Sequence, residues 1–260
     1  MKRRKRRKKR FPFQGLTIIC LILAIFFSLI AYRSFYPGAK VDEEIKSIRM
    51  ANVEDVKKDW LNREIDWNGL KKINSNIVGW VTIPDTTIDY PILKGSDDSF
   101  YLTHDTNDNY NPNGSIFTYH DEDIGQDADP LIFGHMEPNG IDRMFGELRY
   151  YLTSVDYREK KNIAYVYTPE VTYKVQLYSV IRCRYDDEIF TNYMELGSME
   201  YFNRLDTLKR RSEFNDIPSV SDKVQWGDSK SFLLATCNGT VGTPYRTVLS
   251  FITIKQKWKI

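Results

Sequence analysis

The chain has 260 residues, 42% of them hydrophobic and 14% aromatic, enough for one domain of roughly 200 residues with a sizeable core plus additional segments. The net charge of +2 conceals a division: nine of the 37 Lys and Arg fill residues 2–10, and the remainder carries 28 basic against 35 acidic residues. Three cysteines, no C-x-x-C and no H-E-x-x-H exclude a disulfide-dense scaffold and argue against a structural zinc site.

A run of nine cations suits a nucleic-acid arm, a solvated tail or the cytoplasmic flank of a membrane segment. The next residues select the third reading. Residues 11–32 carry no charge, and Leu16 to Tyr32 reads LTIICLILAIFFSLIAY. That is about the length needed to cross ~30 Å of hydrocarbon. A cleaved signal peptide is the rival, but its apolar region is ordinarily about 7–15 residues and ends at a small-residue cleavage site. Here the run is longer and passes into Tyr32-Arg33-Ser34-Phe35. The expectation is a cytoplasmic basic tail over 1–10, a single transmembrane signal anchor over 11–32, and an extracellular remainder held at the cell membrane, with no nucleic-acid partner.

Residues 33–77 read as a stalk and N-terminal helices. Pro37-Gly38 marks the stalk. Ile45, Ile48, Val56 and Trp60 fall near one face of a helix over 41–61, and Asp66 caps a second helix carrying Leu70 and Ile73 inward. From residue 78 the period changes. Strands are predicted at 78–83, 88–93, 114–119, 130–134, 163–168, 171–182, 231–237 and 246–254, with Pro169-Glu170 as a hairpin turn. Eight short strands point to a mainly β barrel or sandwich over 78–260. One helix interrupts them: Ser198 caps it, Tyr201, Phe202, Leu205 and Leu208 form its apolar stripe, and Lys209-Arg210-Arg211 ends it. It covers an open side of the barrel, and its flanking loops are candidates for a groove wall.

The chemistry concentrates at strand ends. Cys237 ends Ser231-Phe-Leu-Leu-Ala-Thr-Cys, before the turn pair Asn238-Gly239, and Arg246 opens the next strand. His135 ends Leu131-Ile-Phe-Gly-His. A thiol with a histidine base and a fixed guanidinium are the parts of a nucleophilic acyl-transfer site. Singly, each has a plainer account: a structural cysteine, here in a Cys183–Cys237 disulfide, or a turn histidine. Cys20 falls in the apolar span. His104 and His120 sit in polar, loop-like sequence and are expected to be exposed, with His120 the fallback base. Asp105 to Tyr110 lacks the sixth-position glycine and the twelfth-position glutamate of a calcium loop. Asp121, Glu122, Asp123, Asp127 and Asp129 read as a solvated acidic loop.

Leu233-Leu-Ala-Thr-Cys237, with Arg246 opening the last strand, resembles the sortase signature T-L-x-T-C, departing from it at Leu233. Leu131 to His135, Met144-Phe-Gly-Glu-Leu148, Val78 to Pro84, Ile88 to Ile92, Tyr101-Leu102 and Gly114 to Phe117 resemble further sortase segments in order. The helices before the first strand and the one near 198–212 resemble class B in particular, and the resemblance covers roughly residues 42–254. It implies an eight-stranded sortase-type barrel and a membrane-bound cysteine transpeptidase needing no metal or organic cofactor. In that scheme Cys237 attacks a threonine carbonyl in the C-terminal sorting signal of a surface protein, His135 moves the protons and Arg246 holds the oxyanion. Leu102, Thr103, Ala235 and Thr236 contact the substrate. The acceptor is an amine of a peptidoglycan cross-bridge or its precursor, in a Gram-positive-type wall. A pilin-polymerising enzyme with a lysine acceptor is the alternative, and an anchored, non-enzymatic binding domain with the Cys183–Cys237 bridge is a third.

Overall fold

The computed structural model describes residues 13–259 apart from 55–58, 137–141, 192–193, 221–223, 225–228 and 238–243; at 13–16, 33–37 and Cys237 it describes the backbone alone. The basic tail, Val56 and the Asn238-Gly239 turn therefore lie outside the described residues. The chain forms two compact units, Met1–Lys40 and Val41–Ile260.

Within the first unit the described residues are helical. They begin helix α1 (Phe13–Asn52), which passes through Pro37-Gly38. The sequence predicts a stalk at that pair, ahead of a separate helix over 41–61. The helix instead ends at Asn52, short of the predicted residue 61. Ile18, Leu21, Phe26 and Leu29 are exposed, and among the described residues no helix is long and apolar enough to cross a membrane.

The second unit is built on a closed barrel. Its strands are β1 (Ile77–Thr82), β2 (Asp89–Lys94), β3 (Phe117–Thr118), β4 (Leu131–Gly134), β5 (Ile163–Tyr167), β6 (Val171–Arg184), β7 (Ser231–Cys237) and β8 (Tyr245–Trp258). Their order around the barrel is β1-β2-β3-β4-β7-β8-β6-β5. β2–β3 and β4–β7 are parallel, so β4 and β7 end at the same rim. Strict alternation sorts β7 between two cores. Phe232 and Leu234 fill the barrel with Val175, Leu177, Leu249 and Phe251, while Leu233 and Ala235 face outward with Ile181, Val248 and Ile252.

Helix α4 (Met199–Arg210) covers that outer face with Tyr201, Leu205 and Leu208. Ser198 caps it by accepting from the Tyr201 amide. A third core joins Ile48 of α1, Val53, Ile65 and Leu70 to Trp80, Tyr165 and Tyr167. Here α2 (Trp67–Ile73) begins at Asp66, which accepts from Gly69, and buries Leu70; Ile73 is exposed, contrary to expectation, because this short helix turns one face inward. A further helix, α3 (Val155–Lys160), follows a seven-residue 3-10 segment.

The N-terminal helices are locked to the barrel by one carboxylate. Asp89 receives a bidentate pair from Arg63 (2.7 and 2.9 Å), the Trp80 indole N–H (2.6 Å), the Thr82 hydroxyl (2.7 Å) and Arg49 of α1 (2.6 Å). Burial pushes its carboxyl up, but the Arg63 guanidinium outweighs that and holds it below the usual range. Arg63 itself is 2% exposed and stands over the Trp60 ring.

Candidate active site

The register sets three residues level on adjacent strands. Gly134 pairs with Thr236 across β4–β7, so the next residues, His135 and Cys237, are neighbours at the rim. Cys237 pairs with Arg246 across β7–β8. With strands about 4.8 Å apart, the three backbone positions span about 10 Å.

Each of the other two side chains is positioned by its surroundings. Gly134 lets the chain end tightly: a Cβ there would lie 2.3 Å from Ile116 Cδ1 and 2.8 Å from the Phe145 ring. The segment after His135 returns so that the Phe145 amide donates to the His135 carbonyl (3.2 Å). Met144, beside it, has φ +47°, an uncommon backbone state, and its amide donates to the Tyr90 hydroxyl (3.0 Å). The His135 ring is half-buried, and its Nε2 meets the Leu102 carbonyl at 3.1 Å. Arg246 is also half-buried, and its Nη1 donates to the Tyr245 carbonyl at 3.1 Å.

His135 and Arg246 share a cavity of about 230 Å³. Gly134, Ala235 and Thr236 form its base, with Phe117, Tyr119 and Phe133 beside them. Phe133 stacks on Phe117 (5.4 Å between centroids) and packs on Tyr119 (4.7 Å). Asp98 and Leu102 line one wall; Tyr185 and Phe190, from the β6–α4 connection, line another. The predicted substrate residues Leu102, Ala235 and Thr236 therefore meet His135 and Arg246 in one cavity. Thr103 lies outside its lining: its amide donates to Phe100 and its carbonyl accepts from Asn111. The Thr236 Oγ1 is buried with no hydrogen-bond partner among the described residues, a costly state for a hydroxyl.

The two cysteines of the second unit differ. Cys183 also pairs with Arg246, from the β6 side, but is 5% exposed in the outer core. Burial pushes its thiol up to about 12, and it is free. A thiol so disfavoured as thiolate is a packing residue, and a Cys183–Cys237 bridge is absent.

Three polar assignments change. His104 is half-buried, stacked on Phe100 at 4.0 Å, with Nδ1 2.8 Å from the Phe100 carbonyl. The acidic loop is not uniformly solvated. Glu122 is 3% exposed, accepts from the Leu131 amide (3.0 and 3.1 Å) and from the Thr118 hydroxyl, and burial pushes it up to about 7. Asp129 is 6% exposed, pairs with Arg204 of α4 at 3.0 Å, and is pushed up to about 6 by burial. Asp129 binds a group 75 residues away, which no local pattern signals; Glu122 binds groups four and nine residues away, at the end of β3 and the start of β4. Asp105 is buried, and its Oδ1 accepts from the amides of Asn107 and Asn109; it closes its own loop. His120 is exposed, as the sequence suggests, but joined to Asp98 on the cavity wall.

Comparisons with known proteins bear on the barrel as a whole. No sequence-family profile matches the chain. The curated Sortase B of Listeria monocytogenes is 27% identical over 234 residues, covering 88% of this chain and 91% of that protein. The Staphylococcus aureus sortase B–substrate complex superimposes with a TM-score of 0.62 at 26% identity, covering 73% of this chain and 85% of that one. A sortase B complexed with triglycine gives 0.63 at 26% identity, covering 73% and 86%.

Proposed function

We propose that this chain, a member of the sortase family in its class B and hence a cysteine transpeptidase, joins surface proteins to a cell-wall amine through Cys237, His135 and Arg246. One observation carries the assignment of roles: the register that sets these three residues level at the rim where β4, β7 and β8 meet. The Cys237 thiolate attacks the threonine carbonyl of a sorting signal. Arg246, permanently charged, holds the oxygen as it gains negative charge. The C–N bond breaks, and His135 gives its proton to the leaving amine. The acceptor amine then attacks the thioacyl carbon, the C–S bond breaks, and His135 takes the proton released. Leu102, Ala235 and Thr236 border the bound signal; Thr103, outside the cavity lining, serves by shaping the turn that carries Leu102.

Two features support the choice of partners. A relative's structure holds its substrate and another holds triglycine, which favours a glycine-type peptidoglycan amine over a pilin lysine. The uncharged run 11–32 behind nine cations favours a membrane anchor with the barrel outside the cell.

The test offers the enzyme N-P-x-T-x and L-P-x-T-G peptides with either triglycine or a lysine-bearing peptide as acceptor. Mass spectrometry should find the threonine carbonyl joined to triglycine. Transfer to lysine alone would move the enzyme to the pilin-polymerising group, and hydrolysis without transfer to either amine would contradict the acceptor assignment.

A further inference from the structure

The second unit carries another cavity, at the end of β8 far from the rim. It holds about 440 Å³ and lies between residues 61–65 and the strand end, where Lys257, Trp258 and Lys259 line it. From Arg246 at the rim to Trp258, at about 3.3 Å per residue, β8 runs about 40 Å. Charge is segregated here. Eleven of the 37 Lys and Arg lie in residues 1–40, which leaves the second unit 26 against 35 acidic residues, yet 255–259 reads Lys-Gln-Lys-Trp-Lys. Lys255 and Lys257 share one face of the strand, and Lys174 stands directly opposite Lys255 across β6–β8. Like charges so placed repel each other. Lys257 donates to the neutral Asn62 side chain, and Lys259 to the Thr168 carbonyl (2.7 Å). Glu64 lines the cavity and Glu170 acts on Lys259 from nearby, but among the described residues neither forms an ion pair with these lysines.

The arrangement says what fits. Lysines on alternate residues of a strand form a row with steps of about 6.6 Å, which suits a linear chain carrying one negative charge per repeat. An anion lying between Lys174 and Lys255 removes their repulsion. Trp258, 61% exposed, offers the apolar face of its ring to the carbon backbone between charges. A lipid surface is the rival occupant, since lysine with tryptophan also suits a membrane interface. The chain path disfavours it. Val41 and Ile45, where the second unit begins, pack with Met144 and Phe145, and Asp42 pairs with Arg143 at 2.5 Å. Those partners belong to the segment that returns from His135. A bilayer holding residues 11–32 is thus nearer along the chain to the rim than to the far end of β8.

We propose that this end of the barrel binds a phosphodiester-linked polyol or sugar polymer of the cell wall, with Lys174, Lys255 and Lys257 on its phosphates and Trp258 on the carbon backbone between them. The surface takes from the reading above only that the barrel lies outside the cell. Bound there, the polymer holds the enzyme in the wall and leaves the rim open to both substrates.

The experiment acetylates the full chain, in neutral detergent, with an N-hydroxysuccinimide ester and reads each lysine by peptide mass spectrometry, with and without poly(glycerol phosphate). Reading site by site separates this surface from the nine cations of residues 2–10, which attract any polyanion. Lys174, Lys255 and Lys257 should be protected, while Lys160, 71% exposed on α3, keeps its rate. In Lys174→Glu the polymer concentration for half-protection of Lys255 and Lys257 should rise by about tenfold or more, with transfer to triglycine unchanged. Protection confined to residues 2–10 overturns the proposal. So does equal protection by inorganic phosphate at the same phosphate concentration, or by neutral dextran. Protection by phosphatidylglycerol nanodiscs but not by the polymer replaces the polymer with a bilayer. Cys237 adduct formation in the same samples tests the transpeptidase reading separately.

Discussion

The Asp89 cluster and the His135–Arg246 cavity lie in the same barrel and use charge in opposite ways. Around Asp89 two guanidiniums, an indole and a hydroxyl converge on one carboxylate, and Arg63 is almost wholly buried. At the cavity the histidine and arginine are half-buried, face open space, and each meets a backbone carbonyl. The first arrangement satisfies its charges internally and fixes the N-terminal segment. The second keeps charge and a proton-carrying ring accessible to something outside the chain. Burial among convergent donors suits a structural role, and accessibility beside an apolar floor suits the chemistry proposed for His135 and Arg246.

The sharpest way to break this contrast is to remove one group from each side. His135→Ala should lower the transfer rate about 10²- to 10⁴-fold, the usual range for a lost general acid–base, with an unchanged urea midpoint. Arg246→Lys should also lose about 10²-fold or more, because an ammonium does not reproduce the guanidinium fork. Asp89→Ala should do the reverse. It leaves Arg63 buried without its partner, so unfolding free energy should fall by about 3–5 kcal/mol, read by urea denaturation, while the folded fraction keeps its kcat/KM.

A subtler test concerns Glu122, whose folded-state pKa of about 7 lies above its ordinary value because of burial. Between pH ~4.5 and ~7 the native state holds a proton that the unfolded state has released, so stability should fall as pH rises through that window and level off above it. Glu122→Gln should flatten the slope, giving a variant relatively more stable at pH 8 than at pH 5 when each is compared with the parent. The smallest effect is expected at the α4 cap: Ser198→Ala should cost about 1 kcal/mol and leave kcat/KM unchanged.

What the sequence made legible was local. The alternation in Ser231 to Cys237 and in Thr247 to Ile254 predicts two strands, and both exist with Cys237 and Arg246 at their facing ends. The Ser198 and Asp66 caps needed only their own turns. Misreadings arose where the folded strands, and not the local pattern, decide. Glu122 and Asp129 look solvated until Leu131, Thr118 and Arg204 are brought to them. Gly114 to Tyr119 looks like a six-residue strand, yet only Phe117–Thr118 is a strand, since Gly114, at φ +59°, packs against the Tyr101 and Leu102 carbonyls. The link between His120 and Asp98 spans 22 residues, and nothing in the pattern of either loop announces it.

Intact mass, taken after mixing the parent chain and Cys237→Ala with sorting-signal peptides, decides whether Cys237 is the acyl carrier. A mass increase equal to the acyl fragment is expected on the parent and none on the variant, with both proteins equally folded by circular dichroism. The same adduct on Cys237→Ala, or cleavage after threonine at an undiminished rate in that variant, would contradict it.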